Sequence, residues 1–405
     1  MAAPEAERDG ASLLAAARRI AFPRYPGSAG DRRAIALVGD ELCRAGLEVE
    51  VQQFSYDLRA ALGSLRAALV ASSAAIAAAG GVAAASPAAA AALLAVAFLA
   101  GGTVVVWAPG IERLYAAAGT TTTSNVAGWR RVRRPRLTLI LLAHHDSKSQ
   151  SPTLAARMAL TILALSGALL LALVLGGALL AERAAGPVGV APVLGAVTAA
   201  SLLALATLRS GNESPGGVDN AGSVAILLQL ARELPAAAGD HVEWVFLSTG
   251  AEEDHMIGAM RWLDVHRAGF DNRPVLALNF DGAGAPGKVA LLERYGLGRP
   301  FSPELSAVAR RVARRCGIEV RGITLPPAIG IDAIPFAHRG VPCLTLASGS
   351  LGRATISVHS SRDVADHLDP ATLERVARLG REMALEIAAS RASDPIVAPP
   401  CRPGR

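Results

Sequence analysis

Residues 137–149 read LTLILLAHHDSKS. The run Leu137–Ala143 is apolar apart from Thr138, which suits a central strand buried on both faces of a sheet. His144 and Asp146 follow at its end. Residues two apart on an extended chain point to the same side. A carboxylate beside an imidazole can fix the ring's tautomer and leave the other nitrogen free for a metal. An ordinary polar strand terminus has the same composition, so this stretch takes its meaning from what accompanies it.

Further segments of the same character do accompany it. SPGGVDNAGSVA (214–225) sets a tight Pro-Gly-Gly loop before Asp219 and Asn220, at the start of a helix. On its own it reads equally as a helix cap or an Asx turn. VFLSTGAEEDHMIGA (245–259) runs an apolar strand into two adjacent carboxylates, Glu252 and Glu253. Neighbouring like charges raise each other's pKa unless a cation intervenes. A metal resolves the conflict: one Glu binds it and the other stays free as a general base. VLALNFDGAG (275–284) ends another apolar strand at Asp281, and ATISVHSSRD (354–363) carries His359 and Asp363. Imidazoles and carboxylates without sulfur, gathered at strand ends, form the donor set of a two-metal hydrolase using zinc or another borderline divalent ion.

The rest of the pattern predicts what carries these segments. Residues 12–46 read as helical, ending at Gly46, and Glu48–Phe54 alternates like a strand. Ser124–Gly128, Val242–Leu247, Val275–Phe280 and Cys343–Ala347 read as strands, and Ala221–Leu234, Glu304–Arg315 and Ala371–Ala389 as helices. Strands alternating with helices predict an α/β fold, a mixed and mainly parallel sheet with helices on both faces.

Two apolar blocks interrupt that fold. No charged residue occurs between Arg66 and Glu112, long enough for two passes at about 20 residues each. Ser86-Pro87 supplies a turn between Ala67–Ala85 and Ala88–Ala108. A second block pairs Met158–Ala181 with Pro187–Leu208 across Glu182-Arg183. The expected organisation is therefore 1–65, 110–157 and 209–393 as one α/β domain, with transmembrane hairpins at 66–109 and 158–208. The tail 394–405, rich in proline, is expected to be disordered. Arginines, among them Arg66, Arg130, Arg134, Arg157 and Arg209, gather on the α/β side of the hairpins. The positive-inside rule then predicts four spans in the cell membrane with that domain facing the cytoplasm. The N-terminal segment MAAPEAERDGASLLAAARR is charged and does not read as a cleavable secretory signal.

Composition narrows the alternatives. The chain is 52% hydrophobic and 18% charged, which fits a lipid bilayer as a partner. Its net charge of +6 comes without a basic stripe interleaved with aromatics, and aromatics are 4%, so nucleic acid is not an expected partner. Cys43, Cys316, Cys343 and Cys401 are scattered and form no CxxC pair, so neither a disulfide framework nor a thiolate zinc site is indicated. The apolar blocks hold no buried ionisable residue of the kind that marks a transport path. Oligomeric state has no signature.

Taken in order, the five segments resemble the M28 family of metallopeptidases, which includes bacterial zinc aminopeptidases. The family's A-H-x-D-S, P-G-x-x-D-N, G-x-E-E, N-x-D and H-[TS]-x-x-D elements read here as 143–147, 215–220, 250–253, 279–281 and 359–363. The resemblance implies a zinc-exopeptidase-like fold and two Zn2+ per chain acting on peptides with a free N-terminus. It implies His144 and Asp281 on one metal, Glu253 and His359 on the other, Asp219 bridging, Glu252 as general base, and Asp146 orienting His144. Two positions depart from the family: Val358 stands where many relatives have Tyr, and Ala333 replaces the His of an S-D-H segment. A single-zinc glutaminyl-cyclase-like acyltransferase and a catalytically dormant receptor or scaffold are the alternatives. The run His144-Asp146-Ser147-Lys148 would fit the former.

Overall fold

The computed structural model of the chain describes residues 5–106, 119–180, 187–237, 239–270, 273–325, 329–349 and 352–393. It divides into two compact units: Met1–Ser55, Thr121–Ser149 and Gly211–Arg405 form one, and Tyr56–Thr120 with Gln150–Ser210 the other.

The strands are β1 (Glu48–Tyr56), β2 (Thr121–Arg130), β3 (Leu137–His144), β4 (Ser149–Ser151), β5 (Arg209–Gly211), β6 (Val242–Thr249), β7 (Val275–Phe280), β8 (Val289–Tyr295), β9 (Arg299–Pro300), β10 (Val320–Leu325) and β11 (Cys343–Ser348). The main sheet runs β1-β2-β6-β3-β7-β11-β8-β10, with β9 paired to β8. β6, β3, β7 and β11 are mutually parallel, so their carboxyl ends share one edge. His144 pairs with Thr249, Leu142 with Asn279 and Leu346 with Phe280. β2 runs antiparallel to β6, and β8 antiparallel to β11.

β3 shows why this sheet forms. All of its residues are buried. Leu137, Leu139, Leu141 and Ala143 enter one core with residues of the helices Glu5–Ile20, Gly222–Ala237 and Pro370–Ser393. Ile140 and Leu142 enter the opposite core with residues of Ile257–His266 and Ala333–His338. The period-two alternation of a strand thus feeds two apolar layers at once.

Several local features differ from the sequence expectation. The helical stretch at 12–46 is two helices, Glu5–Ile20 and Ala29–Arg44. Pro23 and Pro26 fall between them, and proline lacks the N–H that a continuing helix needs. Ser28 restarts the helix by accepting the Asp31 N–H. β8 and β10 were not anticipated. β10 lies at the sheet edge with most of its side chains at least partly exposed, which leaves no alternating pattern to read.

The second unit is helical: Arg59–Val82, Pro87–Val106, Leu154–Leu180 and Ala191–Ala206. Three described segments, Arg59–Val82, Leu154–Leu180 and Val188–Ala206, are long and apolar enough to cross a membrane. A shorter apolar stretch, Pro87–Leu99, lies in the fourth helix. Their inner surface is small: Gly80 and Gly195 touch backbone to backbone, and a Cβ on Gly80 would lie 2.7 Å from the Ala191 carbonyl. Ser73 Oγ donates to the Ala199 carbonyl at 2.9 Å. Their outer surface is apolar, with Leu99, Leu165 and Leu180 exposed. The expected helix ends at Ala108 and Ala181, the turn Glu182-Arg183 and the tail after Asp394 lie outside the described residues.

Candidate metal centre

His144 ends β3, Glu252 and Glu253 follow β6, and Asp281 follows β7. Asp219 comes from the irregular turn Gly217–Ala221 ahead of the helix Gly222–Ala237, and His359 follows the short helix Arg353–Ser357. The shared carboxyl edge of the parallel strands therefore brings together residues separated by more than two hundred positions.

They converge on one carboxylate. Asp219 turns Oδ1 to His144 Nε2 and Oδ2 to His359 Nε2, each at 3.1 Å. His144 Nε2 also lies 3.7 Å from Asp281 Oδ1 and 3.9 Å from Glu252 Oε2. His359 Nε2 lies 3.0 Å from Glu253 Oε2. Two donor groups result, His144–Asp219–Asp281 and Asp219–Glu253–His359, with the donor atoms of each within 4.8 Å of one another.

Supporting residues fix this arrangement. Asp146 contacts the His144 Nδ1 through its own main-chain carbonyl at 3.2 Å, while its carboxylate stands 3.6 Å away. That carboxylate instead accepts the backbone N–H groups of Glu252 and Glu253, at 3.2 and 3.1 Å, and so sets the acidic pair. Asp363 does the same for the bridging loop, accepting the Val218 and Asp219 N–H groups at 2.8 and 3.2 Å. Asn220 ties that loop to β7, donating to the Phe280 carbonyl and accepting the Gly282 N–H. Ala251, His255, Met256 and His359 occupy left-handed backbone conformations although none is glycine. Such residues cost on the order of 1–3 kcal/mol each and cluster where function requires them; here they flank or include the donors.

Electrostatics separate the acids into two kinds. Burial pushes Glu252 well above the ordinary carboxylate range, and the charges of Asp281, Asp332 and Glu253 add to it against His144. Burial acts on Glu253 too, but the charges of His359 and Lys148 outweigh it and bring Glu253 down. Asp219 faces the same burial cost, yet hydrogen bonds from both imidazoles hold it well below the usual range. Burial opposes protonation of His144 and His359, and the surrounding acids overcome it: His144 is raised well above 6.5 and His359 to about 9.

The donors fit a pair of divalent cations. They are nitrogen and oxygen without sulfur, a set that zinc and similar ions accept. Glu253 Oε1 is buried with no hydrogen-bond partner among the described residues, as befits an oxygen reserved for a cation.

Two neighbours are not among the expected site residues. Lys148 donates to the Glu253 carbonyl at 2.7 Å and stands 3.1 Å from Glu253 Oε2. Asp332 is buried, takes a hydrogen bond from Thr249 Oγ1, and is pushed up to about 7 by burial and by Asp146 and Asp281. Asp332 stands at the acid of the S-D-H resemblance, beside Ala333.

Residues 196–384 match the family model of Peptidase family M28. No curated protein matches the sequence. Among solved structures, an aminopeptidase from Aneurinibacillus sp. strain AM-1 is similar at TM-score 0.55 and 14% identity, covering 97% of this chain and 97% of that one. A zinc aminopeptidase from Bacillus subtilis is similar at TM-score 0.55 and 14% identity, covering 96% of each chain. A glutaminyl cyclase from Fimbriiglobus ruber is similar at TM-score 0.54 and 12% identity, covering 93% of this chain and 95% of that one. At these identities the likeness is one of fold, the mixed α/β architecture with a mainly parallel central sheet. Four of the five motif segments lie inside the region, residues 196–384, that matches the model of Peptidase family M28.

Proposed function

We propose that the chain is a membrane-anchored aminopeptidase that uses two zinc ions and releases N-terminal residues from peptides. The observation that carries the reading is the division of the Asp219 carboxylate between two imidazoles, each with a second acid beside it. His144 and Asp281 would hold one cation and Glu253 and His359 the other, with Asp219 available to both. When bound, the two cations polarise the scissile carbonyl and lower the pKa of the attacking water.

The protein's own part lies in placing charge and moving protons. Glu252 points into the donor cluster, paired with no arginine or lysine among the described residues, and its carboxyl, raised by burial, suits a group that must both take and return a proton. It accepts the proton of the attacking water and delivers it to the nitrogen of the departing peptide. Asp146 keeps Glu252 and Glu253 in register through their backbone N–H groups. The unit of apolar helices serves as anchor. The four helices, taken as spans, and the gathering of arginines on the α/β side favour a cytoplasmic peptidase domain made of 1–65, 110–157 and 209–393.

The contact between Lys148 and Glu253 favours a second reading, a one-zinc acyltransferase, because an ammonium already neutralises one donor. The Glu252→Gln variant tests the first reading. It is expected to keep its metals and lose about 100-fold or more of its turnover on aminoacyl anilides. Retained turnover would contradict the assignment, and a single ion per chain would favour the acyltransferase.

A further inference from the structure

Arg24 lies between the first two helices, in the segment AFPRYPGS (21–28), outside every motif discussed above. Its side chain is fully buried, yet among the described residues it forms no ion pair. Its donors go to main-chain carbonyls instead. Nε donates to His145, Nη1 to Phe22 at 3.1 Å and to Pro215, and Nη2 to Gly216 at 2.9 Å. Its own backbone completes the link: Arg24 N donates to Ser147 Oγ at 3.2 Å, and Ser147 N donates to the Arg24 carbonyl at 3.3 Å. Ser147 Oγ in turn donates to the Ser214 carbonyl at 2.9 Å.

These partners belong to two loops. His145 and Ser147 sit among His144 and Asp146, at the end of β3. Ser214, Pro215 and Gly216 lead into Asp219. The guanidinium is thus the joint between the loop that carries an imidazole donor and the loop that carries the shared carboxylate. Gly216 is shaped to admit it: with φ +59, it would place a Cβ 2.9 Å from Arg24 Nη2 and 2.6 Å from Ser147 Cβ.

Charge gives the joint a second task. Burial lowers Arg24 to about 10, while Asp363, Asp146, Asp219 and Glu253 act against that shift. All four belong to the donor cluster or support it, and acids packed this closely repel one another in the absence of a cation. A guanidinium stays charged under these conditions and is well suited to partly dry surroundings.

We propose that Arg24 is a positioning residue of the metal centre, joining the His144 and Asp219 loops and supplying a fixed positive charge that keeps the acids assembled before cations arrive. This rests on the metal-centre reading above, and the test reads metal affinity, so it does not depend on the substrate. The metal-free full-length protein in detergent is titrated with Zn2+ by calorimetry, as wild type, Arg24→Met and Arg24→Lys. Arg24→Met is expected to weaken Zn2+ binding by about 10–100-fold, the scale seen when partners of metal ligands are removed. Arg24→Lys, which keeps the charge but lacks the planar fork, is expected to weaken it less. A folded Arg24→Met variant that binds Zn2+ within about threefold of wild type, well short of that scale, would overturn the proposal. Hydrogen exchange on the metal-free wild type provides a readout free of any folding defect. The Ser147 amide, bonded to the Arg24 carbonyl, should exchange at least about tenfold more slowly than an open loop; open-loop exchange would also overturn it. Wild type that binds no divalent cation would overturn the metal-centre reading itself.

Discussion

The ammonium of Lys148 lies 3.1 Å from Glu253 Oε2, the same oxygen that faces His359 Nε2 at 3.0 Å. A fixed cation therefore sits beside Glu253, an acid that belongs to one donor group and not to the other. The two positions should differ in affinity. Removing a unit charge beside a dication is worth on the order of 1–2 kcal/mol even with water-like screening. Lys148→Met should bind its weaker Zn2+ about tenfold more tightly in calorimetric titration, while the first ion is little changed. Equal weakening of both ions would contradict this placement of the lysine.

Asp363 is fully buried and accepts two backbone N–H groups from the loop that presents Asp219. Asp363→Ala leaves both donors unpaired in a dry site, at a cost of about 1–3 kcal/mol each. A lower thermal midpoint and a roughly 10–100-fold loss of Zn2+ affinity are expected together. A variant with wild-type Zn2+ affinity would show that the loop keeps its shape without Asp363.

Protons and cations should compete for the centre. His359 titrates at about 9 in the folded protein against 6.5 as its ordinary value. Asp332 and Asp363 titrate at about 7 against 3.8. A pKa raised by folding stabilises the folded state below the unfolded value, and that contribution is lost as pH climbs through the folded value. The thermal midpoint of the metal-free protein should therefore fall between about pH 4 and pH 9, first as Asp332 and Asp363 ionise and then as His359 loses its proton. Bound Zn2+ should flatten the trend, because the ion takes the place of the protons. A metal-free midpoint that rises over this range would contradict the electrostatic account.

In the helical unit, Gly80 and Gly81 make a paired test of packing. A side chain at Gly80 would meet the Ala191 carbonyl and Gly195, whereas a Cβ at Gly81 meets nothing within 4 Å. Gly80→Ile should destabilise the unit by about 1–3 kcal/mol, as overpacking of a close contact does. Gly81→Ile should be near neutral. Unfolding by titration with a denaturing detergent compares them, and equal effects would contradict the observed helix contact.

Much of this was legible in the sequence because the central strands announce themselves. Val275–Phe280 was expected with its observed bounds, and β3 and β6 were found within two residues at their ends. His144, Glu253 and Asp281 stood out because each follows such a strand, and Asp219 because it follows a glycine-rich turn, whereas His359 follows a short helix. What stayed hidden lacked a local pattern. β10 is an edge strand without alternation, and Pro23 and Pro26 were absorbed into an apparently continuous helix. Arg24 and Asp332 act through contacts with residues distant in sequence, Arg24 with Gly216 and Asp332 with Thr249. No spacing rule reaches that far. Lys148 adjoins a motif, but its partner Glu253 is fixed only by the pairing of β3 with β6.

The most direct measurement is the number of Zn2+ ions held per chain, determined by native mass spectrometry on wild type, His359→Ala and Asp219→Ala. A centre built on a shared Asp219 should hold two ions in wild type, one in His359→Ala and none tightly in Asp219→Ala. One ion in wild type that survives in Asp219→Ala would contradict it.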